Sequence, residues 1–321
     1  MSHPTPTPPA HACHDTGYRH EALFYADTDE FMAGTLQFLR EAVAAGEPTL
    51  VVLAAPKIQA LRKALDGEAE RVIFADRAEV GTNPARIIPA WQQFLVEHAG
   101  QGRRLRGIGE PIWAERSAAE LAECQRHEAL LNVCFDDPDF WLLCPYDTTA
   151  LHPEVIAEAR RNHPFLSGQG VPELSTSYPG VEALSAPFDA PLPDPPGDAA
   201  LLYVDRAALR GVREFVTIHA ERAGLGADGV NDLVLTIHEL ATNTLRHGGG
   251  EGTVSVWSEH DAVVCEVNDR GRIKDPLAGR VAPTTDSLDG RGLWIANQLC
   301  ELVQIRSFPD GGAVRVHKRL S

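Results

Sequence analysis

The chain is poor in positive charge and has no long apolar run. Its 321 residues include 29 lysines and arginines against 45 aspartates and glutamates, which gives a formal net charge of −16 at pH 7. This balance argues against nonspecific binding to nucleic acid, because phosphate groups require a basic face; only a local basic groove stays open. Since no run of about 18 apolar residues is present, we expect no membrane-spanning helix.

We also expect neither a secretory signal nor a motif of clustered cysteines. Residues 1–12 are rich in proline, threonine and histidine and have no apolar core, which predicts a disordered tail over residues 1–17. The six cysteines are scattered, without Cys-x-x-Cys spacing. These features predict a cytoplasmic protein with buried, reduced thiols. A metal site in the first half is disfavoured because the spacing of its candidate ligands fits no ordinary motif; those candidates are His20, Cys124, His127 and Cys144.

Proline marks a break in the middle of the chain. Eight prolines fall within residues 164–200, and because proline stiffens the backbone and removes hydrogen-bond donors, this segment reads as an extended linker. The length of the chain suits two domains. We therefore predict one domain over residues 18–163 and a second over residues 201–321.

The first domain alternates short apolar runs with helical patterns. Such runs suit strands that are buried on both faces, and their alternation with helices predicts a parallel sheet covered by helices. Asn83 and Pro84 resemble a cap and a first-turn proline that open a helix through Glu97. The predicted strands are Thr49–Ala54, Arg71–Ala75, Leu105–Gly109 and Phe140–Cys144.

The sequence pattern of the second domain predicts an α/β sandwich with a mainly antiparallel sheet. Its longest helix should run from Asp228, as N-cap, to Arg246, where three glycines end it. A hairpin loop at Pro309–Gly312 joins the last two strands. The other predicted elements are helices near residues 205–223 and 293–302 and strands at 253–258, 262–269, 303–308 and 313–318.

The first chemical motif lies on the long helix. Glu239 and Asn243 are one turn apart and share a face with Thr242 and Arg246. The amide oxygen of Asn243 can bind Mg²⁺, which prefers oxygen ligands, and the carboxylate of Glu239 can accept a proton from an attacking hydroxyl. Taken alone, the same pattern also fits a solvated polar face.

The second motif, Asp269-Arg270-Gly271, ends a predicted strand. Asp269 continues the inward parity of Val263, Cys265 and Val267, so its carboxylate points to the covered side of the sheet. There it can accept a hydrogen bond from an amino group such as adenine N6, while Gly271 lets the backbone approach the base. An ordinary turn is the alternative for the isolated motif.

The third motif, Gly290-Arg291-Gly292-Leu293, precedes a helix. Glycines that lead into a helix N-terminus expose backbone N–H groups to an anion, and the phosphates of ATP are the expected ligand. Arg291 either adds charge or points to solvent. The segment Arg272–Asp289 between the second and third motifs would cover the nucleotide as a lid. A glycine-rich loop before a helix, without a ligand, is the alternative.

In this order, the three motifs resemble the ATP site of the GHKL superfamily of gyrase, Hsp90, histidine kinase and MutL proteins. The resemblance covers residues 200–321 and implies the Bergerat α/β sandwich, with ATP and Mg²⁺ as cofactors. It implies that Glu239 is the catalytic base and that Asn243 holds Mg²⁺. The nucleotide-binding residues it implies are Asn243, His247, Asp269, Gly271, Gly290, Arg291, Gly292 and Leu293.

The compact Glu-x-x-x-Asn domain looks most like the serine-kinase branch that includes bacterial anti-sigma factors. This resemblance implies a protein serine/threonine kinase that phosphorylates a STAS-type anti-sigma antagonist, sequesters a sigma factor, often dimerises and regulates transcription in stress responses. One departure is Ile273, where many relatives have a second glycine; it makes nucleotide binding a safer expectation than turnover. The alternatives are a non-catalytic ATP-gated binding switch and an atypical histidine kinase, for which His219 lacks a helical-hairpin partner.

The first domain resembles the MEDS sensory domain, which implies a RecA/KaiC-like parallel sheet. No Gly-x-x-x-x-Gly-Lys-[Ser/Thr] motif follows its first strong strand, so no P-loop is expected. Polar residues near predicted strand ends suggest a pocket for a small molecule, with structural capping as the alternative: Arg86, Glu110, Tyr146 and Asp147. The segments that carry the resemblance are 20–25, 83–91, 106–113 and 143–147.

Overall fold

The computed structural model describes two α/β units that follow one another along the chain. The described residues are 17–100, 102–135, 138–168, 173–181, 190–283 and 290–320. The predicted disordered tail falls almost wholly outside them. Among the described residues, no helix combines the length and the apolar character needed to cross a membrane.

The first unit is built on a sheet that is parallel except at one edge. Its described strands are β1 (Arg19–Tyr25), β2 (Thr49–Leu53), β3 (Ile73–Asp76), β4 (Leu105–Gly109), β5 (Phe140–Asp147), β6 (Phe165–Ser167) and β7 (Glu173–Leu174). They lie in the order β3-β2-β4-β5-β1-β6-β7, and only the β6–β7 pair is antiparallel. Every residue of β2 and β4 is buried, as expected for strands covered on both faces.

Helices cover the faces of this sheet. They are α1 (Thr28–Ala45), α2 (Ala55–Leu65), α3 (Arg77–Val80), α4 (Ile87–His98), α5 (Ala118–Cys134) and α6 (Pro153–Asn162). Asn83 caps a short 3₁₀ turn that begins at Pro84 and leads into α4. The structure therefore places a cap at the predicted residue. Ser117 and Glu120 form a reciprocal capping box at the start of α5, which fixes where that helix begins.

The segment predicted as a linker contributes to this sheet. Strands β6 and β7 lie within residues 164–200, and β6 pairs directly with β1. Three residues of apolar and small character suffice for such a short strand beside the edge strand β7, and the prolines around it kept it from standing out in the sequence. The domain boundaries stay a prediction.

The second unit is an antiparallel sheet with helices packed against it. Its described strands are β8 (Ala200–Val204), β9 (Gly252–Glu259), β10 (Ala262–Asp269), β11 (Leu302–Phe308) and β12 (Gly311–Arg319), in the order β11-β12-β10-β9-β8. The described helices are α7 (Leu209–Arg222), α8 (Ala227–His247) and α9 (Arg291–Leu299). The predicted fold class is confirmed for both units.

The long helix α8 buries one face against this sheet. Val230, Leu233, Ile237 and Ala241 are all buried there, and their spacing is that of one helical stripe. The predicted N-cap was wrong: Gly226 holds that position without a side-chain cap, and Asp228 lies inside the first turn. A carboxylate in the first turn still interacts favourably with the helix dipole, which explains why Asp228 resembled a helix start.

Candidate functional site

A pocket opens in the second unit between α8, the end of β10 and the start of α9. Its cavity volume is about 350 Å³, and it is open to solvent. Of the residues predicted to bind nucleotide, it brings together Asn243, His247, Asp269, Gly271, Gly290 and Leu293. The other lining residues are Leu240, Gly248, Val267, Arg272, Ile273, Arg306, Ser307, Gly312, Ala313 and Val314.

Asp269 is held rigidly at the floor of this pocket. Its carboxylate accepts hydrogen bonds from the Thr244 hydroxyl at 2.7 Å and from the Gly271 backbone N–H at 2.7 Å. A Cβ at Gly248 would lie 2.4 Å from the Asp269 carboxylate, so only glycine permits this approach. A carboxylate offers about four lone-pair sites, which leaves acceptor capacity for an amino group in the pocket.

Thr244 is a site residue that the motif reading missed. It lies on the buried face of α8 and also bonds back to the Leu240 carbonyl at 3.3 Å. The available signal was a threonine within an apolar helical stripe, where a hydroxyl needs a partner.

The side chains of Asn243 and Glu239 lie where α8 meets α9. A Cβ at Gly292 would be 2.6 Å from the Asn243 amide nitrogen and 3.5 Å from the Glu239 Cβ. Gly292 therefore lies directly against these side chains, and a larger residue there would collide with Asn243. Glu239 lies beside Asn243 at the edge of the pocket rather than in its lining, and its carboxylate makes no hydrogen bond to the described part of the chain.

The start of α9 presents backbone donors to the same pocket. Gly290 occupies the N-cap position with φ of 86°, and no side chain caps the helix. The first N–H groups of a helix have no partner within it, and the helix dipole favours an anion at this end. Gly290 and Leu293 line the pocket, whereas Arg291 is exposed beside it.

The described part of the predicted lid forms one wall of the pocket. The Ile273 N–H donates to the Ser307 hydroxyl at 2.8 Å, and the Ile273 side chain packs against the core of the second unit. Gly279, with φ of 75°, lies against Leu293, and its carbonyl accepts from Asn297 at 2.8 Å. The remainder of the predicted lid, residues 284–289, lies outside the described residues.

The lid is tied to the first unit by a buried ionic triad. The Glu123 carboxylate, on α5, accepts from Arg280 of the lid at 2.9 Å and from Arg306 of β11 at 2.8 Å. Their exposed fractions are 1%, 4% and 7% respectively. Burial lowers the pKa of Arg280 to about 10, and the Glu123 charge opposes that shift. Leu277 of the lid also packs against the core of the first unit.

The first unit also holds the C-terminal end of α9. The Asn83 amide donates to the backbone carbonyls of Asn297 and Cys300 at 3.1 and 3.0 Å. Arg86 donates to the Asn297 and Gln298 carbonyls at 2.8 and 2.5 Å. Cations and donors at a helix C-terminus satisfy its unpaired carbonyls. The first unit thus contacts the lid and the helix whose other end faces the pocket.

The small-molecule pocket suggested for the first unit is not formed by the four residues named for it. Arg86, at the end of the 3₁₀ turn before α4, donates to carbonyls of α9 instead. Glu110, at the end of β4, is paired with Lys57 and with Arg77 at 2.5 Å, and it accepts from Tyr25 at 3.2 Å. Asp147 caps the following turn through the Thr149 and Ala150 N–H groups. Asp147 therefore has the structural capping role that the sequence analysis gave as the alternative to a ligand pocket.

Of the four residues weighed as metal ligands, His20 and Cys144 belong to one cluster, whereas Cys124 and His127 do not. Cys124 donates to the Pro111 carbonyl at 3.3 Å and lies apart from the others. His20 and Cys144 are neighbours, 3.4 Å apart between Nε2 and Sγ, and lie beside Glu128 and His163. The sequence did not indicate Glu128 and His163 as ligands, because Glu128 lies on α5 and His163 lies at the end of α6.

Two family models match the chain, one for each unit. Residues 19–164 match the MEDS family, the methanogen/methylotroph DcmR sensory domain. Residues 203–318 match the histidine kinase-like ATPase domain. The chain therefore carries a MEDS sensory domain followed by a histidine kinase-like ATPase domain, as its sequence motifs indicated.

Two solved structures resemble part of the chain at low identity. The RsbU and RsbW domains of a Mycobacterium tuberculosis protein align with 38% of this chain at 21% identity and a TM-score of 0.29; the match covers 32% of that chain. The Acinetobacter baumannii histidine kinase AdeS aligns with 38% of this chain at 12% identity and a TM-score of 0.23, covering 68% of its own chain. A comparison with curated proteins gave no match.

Proposed function

We propose that the protein is an ATP-dependent protein serine/threonine kinase and anti-sigma factor whose activity is controlled by its MEDS domain. The observation that carries the proposal is the convergence of Asn243, Asp269 and the uncapped start of α9 on one pocket. These groups supply an oxygen ligand for a hard cation, an acceptor for an amino group and donors for phosphate. ATP with Mg²⁺ needs all three.

Each residue then has one role. Asp269 accepts the adenine amino group, and the α9 N-terminus with Gly290 and Gly292 holds phosphate. The Asn243 amide oxygen would hold Mg²⁺, which when bound neutralises phosphate charge. Glu239 lies beside Asn243 and accepts the proton of the incoming hydroxyl.

The finer assignment to the serine-kinase branch rests on the compact Glu239-x-x-x-Asn243 helix. A kinase of this branch would phosphorylate a STAS-domain antagonist, sequester a sigma factor and assemble as a homodimer. In this assignment neither nucleic acid nor a membrane is a partner, which accords with the net charge of −16. The MEDS domain would act through its contacts with the lid and α9.

Labelled ATP tests this proposal directly. The full chain is incubated with Mg²⁺, γ-labelled ATP and the STAS-domain proteins of its own organism. We expect acid-stable label on one STAS protein, because phosphoserine and phosphothreonine survive acid whereas phosphohistidine does not. Acid-labile label on the chain itself would instead identify a histidine kinase. Absence of transfer to every STAS protein would overturn the substrate assignment.

A non-catalytic switch is the second candidate function, and Ile273 favours it. Its N–H is committed to Ser307 and its side chain is packed in the core, so this part of the lid is less pliable than a glycine would make it. In that case ATP would bind and change affinity for the partner without transfer. Partner binding measured with ATP and with a non-hydrolysable analogue would then give equal affinities.

We predict that Gly292→Ala weakens Mg·ATP binding by at least about 10-fold without unfolding the domain. The new Cβ would meet the Asn243 amide at 2.6 Å, and a flexible side chain yields more readily than backbone, so Asn243 moves and loses its metal-binding position. Isothermal titration with Mg·ATP measures the effect, and an order of magnitude corresponds to about 1.4 kcal/mol.

The matched control is Gly211→Ala in α7. No atom lies within 4 Å of a Cβ there, so alanine should stabilise the helix by up to about 1 kcal/mol and leave nucleotide affinity unchanged. Unchanged affinity in Gly292→Ala as well would contradict the placement of Mg²⁺ at Asn243.

A further inference from the structure

We propose that His20, Glu128, Cys144 and His163 form a transition-metal site inside the MEDS domain, with Zn²⁺ as the best-fitting ion. One potential ligand atom from each residue lies within 4.8 Å of the other three. All four side chains are buried, with exposed fractions of 1% or less. The site is remote from the nucleotide pocket and does not depend on the proposed kinase activity.

The four ligands come from rigid elements that meet in the core. His20 lies on β1 and Cys144 on the neighbouring β5, paired through the Ala22–Cys144 register. Glu128 lies in the middle of α5, and His163 caps the end of α6. A metal bound here would join two strands and two helices.

Hydrogen bonds determine which nitrogen of His20 carries the proton. The Asn132 amide group donates to the Glu128 and Asn162 backbone carbonyls at 3.3 and 2.8 Å, so its oxygen must be the acceptor in the 3.2 Å contact with His20 Nδ1. Nδ1 of His20 is therefore protonated, and Nε2 presents a lone pair to the cluster in the neutral ring.

The same reasoning applies to His163. Its Nδ1 lies 2.8 Å from the Ala159 carbonyl, which can only accept. Its Nε2 then carries a lone pair, and this buried nitrogen has no hydrogen-bond partner among the described residues. Partners of this kind orient the histidines of known metal sites and select the metal-binding nitrogen.

The two lone pairs point at a carboxylate, which requires a cation. Glu128 Oε2 lies 3.0 Å from His20 Nε2 and 3.2 Å from His163 Nε2. Neutral imidazole nitrogens and a carboxylate oxygen repel at that separation unless a positive charge lies between them. The Glu128 Oε1 and the Tyr146 hydroxyl are both buried without a partner among the described residues, and the Tyr146 ring packs edge-on against His163.

The distances fit a tetrahedral metal ion as well as they fit hydrogen bonds, and the charges of the ligands favour a dication. Zn–N and Zn–O bonds of about 2.0–2.1 Å place neighbouring ligand atoms about 3.3 Å apart in a tetrahedron, close to the observed 3.0, 3.2 and 3.4 Å. One thiolate and one carboxylate also neutralise a divalent ion, which removes the cost of an uncompensated buried charge. Cysteine and histidine together suit zinc better than magnesium or calcium.

Metal analysis of the full chain tests the site. Protein purified after growth with added zinc is measured by mass spectrometry of its metals, and we expect about one equivalent per chain. Co²⁺ loaded in place of zinc should give a thiolate-to-cobalt absorption band. His163→Ala and Cys144→Ser should lose the metal, whereas Cys124→Ser, a buried cysteine outside the cluster, should keep it.

If the variants fail to fold, the metal content of the wild-type protein is enough to test the inference. A zinc content near zero, with no cobalt–thiolate band, would show that protons occupy the cluster and would overturn the inference. Full metal content in folded Cys144→Ser and His163→Ala would place the metal elsewhere and overturn it equally. Loss of thermal stability on treatment with a chelator, reversed by added Zn²⁺, would support it.

Discussion

Glu239→Gln should reduce phosphoryl transfer by about 10²–10⁴-fold, the usual contribution of a general base, while nucleotide affinity stays within about 2-fold of wild type. Glutamine preserves the size of the side chain but cannot accept the proton of the incoming hydroxyl. Binding should survive because Glu239 does not line the pocket. We therefore expect its carboxylate to contribute to the reaction rather than to the affinity.

Single-turnover transfer to the STAS-domain substrate and equilibrium titration with Mg·ATP separate these two effects. Glu214→Gln provides the control, because Glu214 is exposed on α7 and the same chemical change there should affect neither quantity. Wild-type transfer rates in Glu239→Gln would eliminate Glu239 as the base. A large loss of affinity would mean that the side chain takes part in binding instead.

The convergence of Asn243, Asp269 and the start of α9 on one pocket was largely predictable, because these residues follow local periodicities. The helical spacing of Glu239 and Asn243 placed them on one face, and the alternation along β10 aimed Asp269 at the covered side of the sheet. Gly290 and Gly292 marked a helix start, and the structure has α9 begin there. Such patterns depend only on residues that are close in the chain, so they can be recognised from the sequence alone.

Contacts between elements that are distant in the chain were not predictable in this way. Glu123 meets Arg280 and Arg306 across 157 and 183 residues, and no spacing rule relates them. His163 and Glu128 join His20 through the packing of α5 and α6 on the sheet. In the sequence, the candidate metal ligands therefore fitted no motif, although tertiary structure brings a suitable set together.

The second large effect concerns the link between the two domains. In Glu123→Gln the two guanidinium groups of Arg280 and Arg306 lose their shared counter-charge while remaining in a largely buried position. Removing one member of a buried ionic network typically costs about 3–5 kcal/mol. The protein relieves this cost most easily by releasing the lid, since the lid is a surface segment whereas β11 is part of a sheet. We therefore expect the lid to detach from the MEDS domain.

Hydrogen exchange measures this release residue by residue. Amides of residues 272–283 should exchange at least about 10-fold faster in Glu123→Gln, which corresponds to about 1.4 kcal/mol of lost protection, and ATP should dissociate faster because the lid forms a wall of its pocket. Glu115→Gln is the control, because Glu115 is exposed just before α5 and forms no ion pair with the described residues. If lid exchange and ATP dissociation match wild type in Glu123→Gln, the triad is a static contact, and the proposed control by the MEDS domain would have to pass through Asn83 and Arg86 at the far end of α9.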